Sequence, residues 1–283
     1  MAHPAQAFSA SKGNLKHHRL GLAGKALELA TPDGGMPHGN QAGREPLGIT
    51  QNGWQDGEVG HGAMPAFSDP SDQESSVQWP LPPDGQPAHP PLRLGVMASG
   101  SGSNFEALVQ ACRDGTLRAE VALLVVNNPG CGAQQRAERL GVPCQLHDHR
   151  TQPSREQLDA ALVEAFHGAA VDLVVMAGWM RVVTPTLIGA FAERLVNIHP
   201  SLLPSFRGLD AVGQALAAGV TLTGCTAHLV CEEVDAGRIL VQAAVPVLSD
   251  DDHASLSARI QRQEHRILPL AVALTAQRLA AQG

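Results

Sequence analysis

Tyrosine is absent from the 283 residues, and lysine does not occur after residue 25. From residue 92 onward the chain carries fifteen arginines and no lysine. That excludes a Schiff-base lysine in this stretch. It also excludes a Walker A loop, whose lysine must reach the β- and γ-phosphates of a nucleotide. No G-x-S-x-G turn is present, which removes the serine-elbow hydrolases. Positive charge is scarce overall: the formal net charge is −7, and a nucleic-acid partner held by phosphate neutralisation is not expected. Uninterrupted apolar runs of ~18 residues are missing, so no membrane-spanning helix is expected. The N-terminus lacks the apolar block of roughly 7–15 residues found in secretory signals. The five cysteines (112, 131, 144, 225 and 231) are odd in number and form no C-x-x-C pair. This speaks for free thiols in a reducing, cytoplasmic compartment rather than a disulfide framework or a zinc knuckle.

Aliphatic residues are also scarce, but only in one part of the chain. Residues 1–91 contain 13 Gly and 12 Pro, and only 12 Leu, Ile, Val or Phe. Such a segment cannot bury enough surface to offset the entropy of ordering it. The expectation is a disordered or low-complexity N-terminal extension over 1–91 and a single catalytic domain over 92–283. The domain is long enough for a substantial core.

Within 92–283, apolar runs that suit buried parallel strands alternate with helical periodicities. Strands are expected at 92–98, 121–127, 142–146, 171–178, 194–199, 220–230 and 238–247. Helices are expected at 103–113, 132–140, 184–191 and 209–218, with another starting after a Ser154 cap. A final helical pattern over 253–281 should bend or break near Pro269. The alternation predicts an α/β fold with a doubly wound, mostly parallel, Rossmann-like sheet. In such sheets the active site lies outside the carboxyl ends of the strands.

Two strand ends carry chemistry. The first expected strand runs into Ser99-Gly100-Ser101-Gly102-Ser103-Asn104 and then a helix. Glycines allow close backbone approach to an anion, and a helix N-terminus offers free N–H groups and partial positive charge. A dinucleotide fingerprint would need a third glycine where Phe105 stands. With no lysine for a triphosphate, the loop reads as a cradle for a phosphate monoester. The fifth strand ends in Asn197-Ile198-His199-Pro200. Alternation puts Asn197 and His199 on one face, where an amide and an imidazole together can grip a developing oxyanion and move a proton. A carboxylate partner is sought in the acidic turn Cys231-Glu232-Glu233-Val234-Asp235-Ala236-Gly237, with Asp235 favoured. His147-Asp148-His149 reads as a surface turn, and no metal site is expected.

These residues resemble the phosphoribosylglycinamide formyltransferase family over about residues 92–280. The carriers are GSGSN (100–104), MAGWMRVVTP (176–185), NIHPSLLP (197–204), GCTAHLVCEEVDAG (224–237) and QRQEHRILP (261–269). The resemblance implies formyl transfer from 10-formyltetrahydrofolate, as co-substrate and with no metal, to the amine of glycinamide ribonucleotide in purine biosynthesis. It implies catalytic roles for Asn197, His199 and Asp235. Gly102, Ser103 and Asn104 would hold the phosphate, and Gln261 and Glu264 the ribose and glycinamide. Arg155, Met180, Arg181, Val182, Val183 and Asn197 would line the folate pocket, closed by Cys231, Glu232, Glu233, Val234 and Asp235. The implied partners are small-molecule substrates, with no nucleic acid and no membrane, for a monomer or homodimer. Residues 205–213 (SFRGLDAVG) depart from the family pattern, so no substrate contacts are assigned there. The alternatives are a formyltetrahydrofolate deformylase on the same core, a methionyl-tRNA formyltransferase, and a non-catalytic phosphosugar or folate binder. The first expects strand and helix patterns that 1–91 lack. The second expects a C-terminal nucleic-acid-binding barrel.

Overall fold

The first strand of the expected domain, LRLGVMA, is apolar at nearly every position because it lies mid-sheet with helices over both faces. In the computed structural model, residues 77–80 and 91–281 are described. They run β1 (Val77–Trp79), β2 (Leu92–Ala98), α1 (Ser103–Arg113), β3 (Ala119–Val126), α2 (Gly132–Leu140), β4 (Cys144–Leu146) and α3 (Arg155–Gly168). Then follow β5 (Leu173–Met176), α4 (Pro185–Ala190), β6 (Leu195–His199), α5 (Ala211–Ala218), β7 (Leu222–Leu229), β8 (Ile239–Pro246) and α6 (His253–Ala280).

The eight strands form one sheet in the order β1-β8-β7-β6-β5-β2-β3-β4. The stretch from β4 to β6 is parallel, whereas β6–β7, β7–β8 and β8–β1 are antiparallel. The chain winds outward from β2 to β4 and then returns to β5 and β6 on the other side of β2. The crevice at this reversal lies between the loops that leave β2 and β5. One face of the sheet packs against α1, α2, α5 and α6, and the other against α3 and α4. The fully buried Phe166 and Phe191 meet edge to face on the second side, with ring centroids 5.9 Å apart.

Helix ends follow local chemistry. Ser154 caps α3 by accepting from Gln157 N–H at 3.2 Å. Asp252 and Ser255 form a reciprocal capping box at the start of α6. Two expectations need correction. The final helix is one continuous element through Pro269, so the expected break does not occur there. Proline removes a single backbone donor, and Ile267, Leu268, Leu270, Ala271 and Val272 are buried around it, so core packing holds both halves together. The expected extension also contributes structure: Val77–Trp79 pairs antiparallel with β8. The rest of the disordered or low-complexity reading of 1–91, apart from Pro80 and Pro91, lies outside the described residues.

Candidate active site

The loop after β2 packs tightly against the start of α2. Gly102 is the N-cap of α1 with φ 78°, and a Cβ there would lie 2.5 Å from Ala133 Cα. Three successive loop carbonyls are taken from outside. Ser99 O accepts from Asn128 Nδ2 at 2.7 Å, Gly100 O from Ala133 N–H at 3.0 Å, and Ser101 O from Arg136 Nε at 2.9 Å. In a trans peptide the N–H points opposite to its C=O, so this pinning turns the loop's N–H edge away from those partners. Gly102, Ser103 and Asn104 then present the N-terminus of α1 to the cleft. Asn104 is buried. Its Nδ2 donates to Glu264 Oε2 at 2.8 Å, while its Oδ1 is buried with no partner. Burial pushes the Glu264 carboxyl above its ordinary range, against the opposing effect of the Asn104 bond.

Alternation along β6 places Leu195, Asn197 and His199 on one face, as the sequence implied. His199 is buried, with Nε2 at 2.8 Å from Phe206 O and Nδ1 at 3.3 Å from Asp235 Oδ2. Asp235 Oδ2 also accepts from Gly208 N–H at 2.9 Å. Asp235 Oδ1 lies 3.5 Å from Asn197 Nδ2 and 3.6 Å from His228 Nε2. Burial acts to raise the Asp235 pKa. The hydrogen bond from Gly208 N–H and the neighbouring His228 and His199 rings outweigh it and hold the carboxyl below the usual carboxylate range. Of the other acids in this turn, Glu232 and Glu233 are exposed, and Glu233 pairs with Arg207 at 2.6 Å.

Two residues on β7 were not assigned from sequence. His228 faces Asn197 across the β6–β7 ladder, and Thr226 faces His199. His228 Nδ1 lies 2.8 Å from Leu229 O, which can only accept, so Nδ1 carries a proton. In the neutral ring Nε2 therefore accepts from Asn197 Nδ2 at 3.1 Å. Thr226 Oγ1 donates to Ser201 O at 2.7 Å and accepts from Leu203 N–H at 3.0 Å, fixing the turn that follows His199. The available signal was a pair of polar residues at i, i+2 near the end of a largely buried strand.

The loop after β5 forms the other wall. Trp179 and Val183 are buried, whereas Met180 and Val182 are 66% and 50% exposed and present an apolar rim. Ser99 Oγ accepts from Met180 N–H at 2.9 Å, joining this loop to the phosphate-cradle loop. Asp159 on α3, buried and unassigned from sequence, accepts from Thr184 N–H at 2.5 Å.

One cleft of about 830 Å³ unites these parts. Its lining includes the cradle residues, Met180 through Val183, Asn197, His199, Cys231 through Asp235, Gln261 and Glu264. Arg155 is the exception: it is exposed on the first turn of α3 and is not among the residues that line the cleft. The 205–213 segment, left without contacts from sequence, supplies Gly208, Leu209, Asp210, Ala211 and Val212 to the lining. Among the described residues no cluster of three or more His, Cys, Asp or Glu is arranged to hold a metal ion. Asp148 is engaged by Arg150 at 2.7 Å. No helix of the described residues is long and apolar enough to cross a membrane.

Comparison with known proteins gives these features a context. Residues 92–272 match the family described as formyl transferase. The chain is 47% identical over 184 residues to the trifunctional purine biosynthetic protein adenosine-3 of Drosophila melanogaster, covering 64% of this chain and 14% of that protein. It is 38% identical over 177 residues to the phosphoribosylglycinamide formyltransferase of Bacillus subtilis (strain 168), covering 62% of this chain and 91% of that enzyme. The chain thus spans a small part of the trifunctional relatives and nearly all of the single-function one. The crystal structure of glycinamide ribonucleotide transformylase 1 from Symbiobacterium toebii superposes with a TM-score of 0.65 at 45% identity, over 66% of this chain and 88% of that one.

Proposed function

The chain belongs to the formyl transferase family, and we propose that it transfers the formyl group of 10-formyltetrahydrofolate to the amine of N1-(5-phospho-D-ribosyl)glycinamide, a step of purine biosynthesis. The observation that carries this reading is the meeting of three features in one cleft. These are a lysine-free phosphate cradle, an apolar rim, and the Asn197–His199–Asp235 set, with His199 buried and the other two half-buried.

In this reading Gly102, Ser103 and Asn104 take the phosphate monoester on backbone N–H groups and the start of α1. Gln261 and Glu264 face the ribose and glycinamide, and the unpaired Asn104 Oδ1 accepts from a substrate hydroxyl or amine. The pterin end lies against Met180–Val183 and the 231–235 turn. Arg155 stands outside this lining, on the first turn of α3.

The substrate amine attacks the formyl carbon, a C–N bond forms, and the carbonyl oxygen becomes an oxyanion. The Asn197 amide N–H that makes only the long 3.5 Å contact to Asp235 is free to turn to that oxygen. His199 donates a second hydrogen bond there, with the substrate replacing the Phe206 carbonyl at Nε2. The bond to the folate N10 then breaks. The proton lost by the amine reaches N10 through His199 and Asp235, so atoms and charge balance. These steps use only Asn, His, Asp and the two substrates.

The catalytic unit is proposed as 92–283, acting in the cytoplasm, with 1–91 dispensable for chemistry. The test is an assay with 10-formyltetrahydrofolate, with and without the ribonucleotide. Formyl transfer should require the amine acceptor, and His199→Ala should lose ~10²–10³ in rate. Folate release without acceptor would replace this reading with the deformylase.

A further inference from the structure

The family match begins at residue 92, yet the sheet begins at residue 77. Strand β1 therefore lies outside the matched region and adds an eighth strand to its sheet. It pairs Val77 with Ala244, Gln78 with Ala243 and Trp79 with Gln242. Without it, β8 would be the edge of the sheet.

That edge would be a liability. Strand β8 is eight residues long, with Val241, Ala243 and Val245 buried in the core and Ile239 exposed at one end. Edge strands present unpaired N–H and C=O groups that recruit another chain. Pro246 blunts one end of β8, because proline has no N–H to offer. The stretch left open is the middle of the strand, and Gln242–Ala244 is where β1 pairs. The new edge is itself poorly suited to recruitment. Strand β1 is three residues long and is followed at once by Pro80.

We infer that residues 77–79 are a built-in edge cap that keeps β8 from pairing with β8 of a second copy of this chain. Self-pairing is the natural competitor. An antiparallel β8–β8 contact about a two-fold axis would continue the sheet, and both partners would offer the same open segment. This inference does not depend on the proposed activity.

The test uses the full chain. Residues opposite each other in an antiparallel pair alternate between bonded and non-bonded positions, so single proline substitutions could miss the bonds that matter. The triple variant Val77→Pro, Gln78→Pro, Trp79→Pro removes every N–H of β1. Amide hydrogen exchange would be read at Gln242, Ala243 and Ala244, and mass in solution by light scattering across a concentration series. In the unsubstituted chain at least one of these amides should be protected, and its protection should fall at least ~10-fold in the variant. The variant should then dimerise as concentration rises, and a peptide spanning residues 74–80 should return it to monomer. Circular dichroism and formyl-folate turnover at low concentration verify that the variant is folded. Unchanged exchange at all three amides would overturn the cap. Lost protection with a mass that stays monomeric at every concentration would overturn its role against self-pairing.

Discussion

Replacing Gly102 by alanine should selectively damage the phosphate site. Two costs arise at this position. The residue sits at φ 78°, where an L side chain costs about 1–2 kcal/mol. The added Cβ would also lie 2.5 Å from Ala133 Cα and 2.7 Å from Ala133 Cβ. Ala133 is fully buried in the first turn of α2, so the loop must yield rather than the helix. Restoring an ordinary contact needs a shift of about 1 Å, and a misplacement of that size at a binding site can cost ~10²-fold. That is ~2.7 kcal/mol at 1.36 kcal/mol per decade. The shift would also stretch the Ala133 N–H bond to Gly100 O, now 3.0 Å. Steady-state kinetics should show kcat/KM for the ribonucleotide falling ~10²-fold, with the KM for folate little changed. Two companions separate the causes. Asparagine tolerates the left-handed conformation, so Gly102→Asn removes most of the backbone cost but keeps the clash and should remain impaired. Gly100→Ala meets nothing within 4 Å and should stay within ~0.5 kcal/mol of the parent. A Gly102→Ala enzyme with unchanged ribonucleotide kinetics, or a Gly100→Ala enzyme equally damaged, would refute the close-packed cradle.

Further outcomes follow from other contacts. His228→Ala frees the Asn197 amide from its 3.1 Å partner, so kcat should drop ~10-fold or more while both KM values hold, as read from initial-rate kinetics. Asp159→Ala strands the buried Thr184 N–H and should cost ~1–3 kcal/mol, measured as a raised folate KM and lower thermal stability. Asp159→Asn keeps an acceptor there and should recover most of both. Asp251, with Arg259 beside it, has its carboxyl lowered to about 2 chiefly by the hydrogen bond from that guanidinium. Its stabilisation is therefore complete above the ordinary 3.8 and is lost as pH falls through about 2. Asp251→Asn should unfold more easily in urea at pH 7, with the gap to the parent closing as pH falls toward 2.

The sequence carried most of the fold because its element ends are chemically marked. The bounds of β2, α1 and α2 match the expected ones, set off by the Ser/Gly loop, by Gly132 and by Gly141. Strand β5 is shorter than the apolar run that predicted it, 173–176 rather than 171–178, because hydrophobicity continues where ladder pairing has ended. At Pro269 the local rule lost to core packing. Asp159 was read past because it sits beside Leu158 on the buried stripe of α3, and no local pattern reveals a carboxylate bonded to an N–H 25 residues away. Strand β1 left no signal because three residues in a Pro-rich segment carry no periodicity. His228 was present among the motif residues, but its role depends on β6–β7 register, which is a tertiary fact.

The left-handed backbone of Asp235 follows from how its carboxylate is held. At φ 51° a residue other than glycine pays about 1–3 kcal/mol. The strain persists because three segments converge on this one side chain: His199 and Asn197 from β6 and the Gly208 N–H from the turn beyond β6 donate to it, and His228 from β7 lies 3.6 Å away. A glycine would adopt the backbone without cost but would release all of them, and His199 and Asn197 would lose their shared acceptor. The strained conformation is the one that lets a residue of the acidic turn reach back beneath the cleft. Of its neighbours, Glu232 and Glu233 remain exposed. The same carboxylate thereby ties the Phe206–Gly208 turn to His199, so movement of that turn and the setting of the imidazole are mechanically one event.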